Sequence, residues 1–127
     1  MGASRRARES ERNGAKAMAT QKTSEILYSL GIGRQYLGHS ITLQAVEMVL
    51  RDENRLLCVK QGIFMPLGQQ RGCDWRTIER NIRTVIRRAW RTSSGRLAEL
   101  AVYPLRREPT VTEFLDILAV RVMRGLR

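Results

Sequence analysis

A chain of 127 residues, 43% hydrophobic and 6% aromatic, can bury one modest core built mainly of Leu, Ile, Val and Met. Its formal net charge of +11, carried by 20 Arg and 3 Lys, favours a polyanionic partner, nucleic acid before an anionic membrane. No apolar run approaches the ~20 residues of a membrane-spanning helix, and no apolar stretch follows the basic N-terminus as it would in a secretory signal.

Residues 1–22 are small, polar and charged, with six basic and two acidic residues and no apolar periodicity. They read as a disordered basic arm, one that either adds nonspecific phosphate affinity or only solubilises. A single domain is expected over 23–127. From Thr23 the pattern turns helical: Ile26, Leu27 and Leu30 make a short apolar face, ended by Gly31 and Gly33. A longer helix is expected from about Gly38 to Asp52, with Ile41, Leu43, Ala45, Val46, Val49 and Leu50 inward. Between Leu56 and Gly72, Gly62, Pro66, Gly68 and Gly72 weaken any helix, leaving a short one from about Met65 to Arg71.

Asp74 then offers an N-cap to the most telling stretch, DWRTIERNIRTVIRRAWR, residues 74–91. Trp75, Ile78, Ile82, Val85, Ile86 and Ala89 form an apolar stripe at helical spacing. Arg76, Arg80, Arg83 and Arg87 form a second stripe, with Glu79 beside them. Such a helix can bury one face and lay the other in the major groove of DNA. It can equally be a core helix with a solvated basic face.

Ser93 or Ser94 can cap a short helix through Arg96 to Ala101, and Pro104 and Pro109 bracket a basic loop with Arg106 and Arg107. Thr110 to Glu113 is a capping box opening the last helix, lined by Phe114, Ile117, Leu118 and Val122, with Met123 an open position. There are no repeats and no alternating run long enough for a sheet. The expected fold is all-α, a compact bundle of about six short helices containing a helix-turn-helix.

In a helix-turn-helix the N-terminal residues of the second helix face the bases. Those are Arg76, Thr77, Glu79, Arg80, Arg83 and Thr84. An Arg donates twice to guanine O6 and N7, and a Glu accepts from cytosine N4, so Glu79 beside Arg80 suits a C·G step. Glu79 can also bridge to Arg83 at i+4, and both roles can hold together. Arg87 and Arg88 suit phosphates or solvent. Trp75 and Trp90 share the apolar stripe and read as core rather than as base-stacking platforms.

No catalytic site is expected. His39 has no Ser or Cys partner that the pattern places near it, and Gly31-Ile-Gly33 lacks the rest of a phosphate loop. Cys58 and Cys73, with one histidine, exclude an ordinary zinc site, and reduced thiols are expected in a cytoplasmic chain. No cofactor, metal or small-molecule substrate is expected.

TIERNIRTVIRRAW resembles the recognition helix of the C-terminal effector domain of the stage-zero sporulation response regulator A family, with Glu79, Arg80, Ile82, Arg83, Ala89 and Trp90 matching without a gap. Glu25 to Gly38 resembles that family's opening turn, and Pro109-Thr110 with Glu113-Phe114 resembles the start of its last helix. The resemblance implies a six-helix DNA-binding domain reading a short box like TGTCGAA. It implies two domains head to tail on tandem boxes, the last helix contributing to their contact. It assigns base readout to Glu79 and Arg80. Thr77 stands where the family has an arginine and Thr84 where a histidine is often found. Pro66, Gly68 and Gly72 replace better helix formers. The family regulator also carries an N-terminal phosphoacceptor receiver, and with about 22 residues ahead of the domain this chain is expected to lack its own.

The leading expectation is a bacterial transcriptional regulator binding double-stranded DNA sequence-specifically, as a possible head-to-tail homodimer. The alternatives are a nonspecific nucleic-acid binder, and an interaction module that pairs with a full-length regulator through its last helix, at Phe114 or Ile117.

Overall fold

The computed structural model describes the backbone of residues 2–125 and the side chains of Glu11 and of 13–125. Its five α-helices are α1 (Gly2–Ser29), α2 (Leu37–Arg51), α3 (Met65–Arg71), α4 (Trp75–Leu100) and α5 (Val111–Gly125), with a 3-10 turn over Glu53–Leu57 and a π turn over Lys60–Phe64. No strand occurs among the described residues. The fold is an all-α bundle. Its count reaches six because α4 holds a non-helical residue, Ser93 at φ −144° and ψ 35°, where the sequence breaks the helix. The end of the expected domain, residues 126 and 127, lies outside the described residues.

The N-terminal stretch differs from the expected disordered arm, since α1 runs from Gly2 without a break. Ala15, Lys16, Ala17, Met18 and Ala19 are strong helix formers, and tertiary contact fixes their end of the helix. Ala19 is buried, the Thr23 hydroxyl donates to its carbonyl, and Lys16 Nζ lies 3.2 Å from Glu47 Oε1 on α2. Local polarity cannot show a contact with a helix that comes later in the chain. The side chains of residues 1–10 and 12, on which a phosphate-binding arm would depend, lie outside the described residues.

Helix α1 ends in a Schellman turn. Gly31 adopts φ +81°, its amide reaches Tyr28 O, and the amide of Ile32 reaches back to Leu27 O at 2.9 Å. Ile32 and Leu27 are fully buried. Helix α4 satisfies two further carbonyls. Ser93 Oγ donates to Leu30 O at 3.0 Å and Arg88 Nε to Gly31 O at 3.1 Å, so the kink in α4 is the place where α1 terminates.

One core joins all the helices, with Leu27, Leu30, Ile41, Val46, Ile63, Phe64, Leu67, Ile78, Ile82, Phe114 and Leu118 at its centre. Helix α2 crosses α4 at Gly38, where a Cβ would stand 2.4 Å from Val85 Cγ2 and 2.7 Å from the Asn81 carbonyl. His39 is buried, with Nδ1 donating to Ile32 O at 3.0 Å and Nε2 2.9 Å from Ser24 Oγ. It therefore does have a serine partner, which links α1 to α2. Phe114 and Ile117 are also core residues, at 0% and 3% exposure, so neither can dock a second protein. Met123 is exposed.

Candidate nucleic-acid interface

The approach to α3 explains its unusual residues. Pro66 has no amide, so it cannot bond the carbonyl of Gly62, and the backbone loosens into a π turn in which the Met65 amide reaches Lys60 O. The freed Gly62 carbonyl accepts instead from Arg55 Nη1 at 2.5 Å. Helix α3 then ends in a second Schellman turn: Gly72 at φ +68°, its amide to Gln69 O at 3.3 Å and the Cys73 amide to Gly68 O at 2.9 Å. A Cβ at Gly68 would meet Cys73 O at 2.8 Å and Trp75 N at 3.2 Å. The glycines that weaken α3 as a helix are thus what let α4 start so close to it.

Asp74 caps α4, its carboxylate accepting from the Arg76 amide at 2.8 Å. Ile78, Ile82, Val85, Ile86 and Ala89 are buried, as their spacing predicts. Trp75 and Trp90 are half-buried against the core. The helix is amphipathic, and its uncovered side is the arginine stripe.

Five of the seven predicted site residues share one groove. Glu79, Arg80, Arg83, Thr84 and Arg87 line it, together with Tyr36, Arg88, Arg91 and Thr92. Glu79 Oε2 pairs with Arg83 Nη2 at 3.3 Å. Arg80 is exposed and takes part in no ion pair among the described residues. The Thr84 hydroxyl donates to the Arg80 carbonyl at 2.9 Å. Arg87 Nε lies 3.9 Å from Glu108 Oε1, at the loop before α5.

The other two stand apart. Arg76 is turned back on the helix start, 3.4 Å from Asp74 Oδ2 and over the Trp75 ring at 4.8 Å. Thr77 is half-buried, and its carbonyl accepts from Asn81 Nδ2 at 2.8 Å.

Some groove residues escape the sequence pattern. Arg91 continues the stripe four residues after Arg87, a signal already present in the spacing. Tyr36 comes from the segment before α2, and nothing local points to it. Its ring carries the Arg88 guanidinium at 4.9 Å. With its Nε held by Gly31 O, Arg88 is a bracing residue more than a free phosphate ligand.

Chemically the groove is a row of guanidinium groups with one carboxylate among them. Among the described residues no cluster of three or more His, Cys, Asp or Glu could hold a metal, and no helix is long and apolar enough to cross a membrane. Both cysteines are free thiols.

No curated protein matches the chain. Residues 23–122 match the family model described as sporulation initiation factor Spo0A C terminal. That match covers the groove, the turn and the capping box of α5 together, so the chain belongs to this family of DNA-binding sporulation-regulator effector domains.

Proposed function

We propose that the chain is a bacterial transcriptional regulator that binds double-stranded DNA sequence-specifically, acts in the cytoplasm and catalyses no reaction. Helix α4 enters the major groove with Glu79 and Arg80 toward the base edges. Arg83 and Thr84 border them, and Arg76, Thr77 and Arg87 contact the groove walls and backbone. The DNA-binding domain spans residues 23–127, and the part of α1 that precedes it packs onto it through Ala19 and Lys16. Two copies sit head to tail on tandem sites.

The observation that carries this reading is Arg80, exposed and without an ion-pair partner among the described residues, beside a Glu79 already held by Arg83. A guanidinium held free next to a fixed carboxylate has the donors and acceptor for a G·C pair. Replacing Arg80 by Ala is expected to cost ~1–3 kcal/mol on the preferred site and much less on random DNA. Equal loss on both would remove base readout from Arg80. The charge of +11 supports a second reading, a nonspecific binder, which requires equal affinity for all duplexes and a steep salt dependence.

A further inference from the structure

At the other end of α4 from Arg91, two cations from separate elements meet on one indole. Lys60 Nζ, in the π turn before α3, lies 4.7 Å from the centroid of the Trp75 ring, and the Arg76 guanidinium lies 4.8 Å from it. The ring itself is fixed, stacked on the buried Phe64 at 6.3 Å with an interplanar angle of 4°. Lys60 and Arg76 are exposed, and Lys60 joins no ion pair among the described residues. Asp74 beside them accepts from the α4 amide and from Arg76, and Lys60 adds a second positive charge that no ion pair among the described residues offsets.

We propose that Lys60 and Arg76, organised by Trp75, form a clamp for a backbone phosphate at the edge of the DNA groove. The inference rests on the reading that α4 enters that groove, and it adds Lys60 and a defined phosphate site to the backbone role of Arg76. Three features support it. Arg76 is outside the groove lined by Glu79, Arg80 and Arg83, and its guanidinium is turned toward the start of the helix. Lys60 stands ahead of the first helix of the helix-turn-helix, and the entry to that motif commonly flanks the sugar-phosphate chain. Cation–π contact with a fixed ring restricts both side chains before DNA arrives, which lowers the ordering cost of phosphate binding.

The test is fluorescence anisotropy of the full chain and its Lys60→Met and Arg76→Ala variants. The duplexes carry two tandem TGTCGAA-like boxes or a scrambled sequence, and salt is varied. Methionine keeps an apolar stem over the indole and removes only the charge. The clamp requires each variant to weaken binding by the same factor on both duplexes, and the slope of log affinity against log salt to become shallower by about 0.9. An unchanged slope for Lys60→Met, with wild-type binding intact, overturns the clamp and leaves the groove reading standing. A loss confined to the tandem-box duplex also overturns it, because it would place these side chains on bases. A wild-type chain that binds neither duplex overturns the groove reading and the clamp together.

Discussion

Arg83 Nη2 stands 3.3 Å from Glu79 Oε2, one helical turn apart on the exposed side of α4. The pair uses one carboxylate oxygen and leaves the other able to accept. Exposed pairs at this spacing contribute only about 0.3–0.5 kcal/mol to stability, so its importance is in aiming Glu79. Replacing Glu79 by Ala removes a negative charge from a surface that meets phosphates, and also removes an acceptor for cytosine N4. Affinity for a scrambled duplex is expected to hold or rise, while preference for the cognate duplex falls by ~1–3 kcal/mol. Paired anisotropy titrations read both, and a preference left unchanged would exclude Glu79 from base readout.

The turn between α3 and α4 depends on two glycines for different reasons. Gly68→Ala places a methyl 2.8 Å from the Cys73 carbonyl and 3.2 Å from the Trp75 amide, a clash expected to cost ~1–3 kcal/mol. Gly72→Ala meets nothing within 4 Å but must hold φ +68°, at ~1–2 kcal/mol. Urea unfolding measures both. A neutral Gly68→Ala would mean that α4 does not approach α3 this closely.

At the start of α5 the capping box is complete. The Glu113 amide donates to Thr110 Oγ1 at 3.1 Å and the Thr110 amide to Glu113 Oε1 at 2.9 Å. Thr110→Ala is expected to lower stability by ~1 kcal/mol, read as a shift in urea midpoint. The Thr110 amide, and after it the Arg107 guanidinium, hold the Glu113 carboxyl below its usual value of 4.5. The folded state thus binds this proton less readily than the unfolded chain does. Its stabilisation is fully present above about pH 4.5 and is lost as pH falls through the lowered folded value. Glu113→Gln should flatten that part of the acid limb in a pH series of urea melts, and an unchanged limb would show that the carboxylate is not held this way.

Thr42 is fully buried in α2, and its hydroxyl has no hydrogen-bond partner among the described residues. Removing an unpaired buried hydroxyl is expected to stabilise, so Thr42→Val should raise the unfolding free energy by about 1 kcal/mol. A drop in thermal midpoint would show that the hydroxyl has a partner, such as a buried water.

Features written in local spacing were legible in the sequence. They include the apolar stripe of α4, the Asp74 cap, the Thr110 box and the break at Ser93, each involving residues within a few positions of one another. What escaped depends on contacts between distant segments. Lys60 beside Trp75, Tyr36 beneath Arg88, and the Lys16–Glu47 pair that carries α1 through residue 22 leave no periodic trace. Pro66, Gly68 and Gly72 read as defects because helix propensity counts only their cost. The Arg55 side chain on the Gly62 carbonyl and the close approach of Trp75 to Gly68 supply the compensation.

Selection of a DNA sequence by the groove around Arg80 is open to direct measurement. Fluorescence anisotropy of the full chain on a duplex with two tandem TGTCGAA-like boxes, against a scrambled duplex, at two salt concentrations, addresses it directly. Base readout by Glu79 and Arg80 predicts a preference of ~10³-fold or more that persists at the higher salt. Equal binding to both duplexes that collapses together with salt would contradict it and leave a protein held to DNA by charge alone.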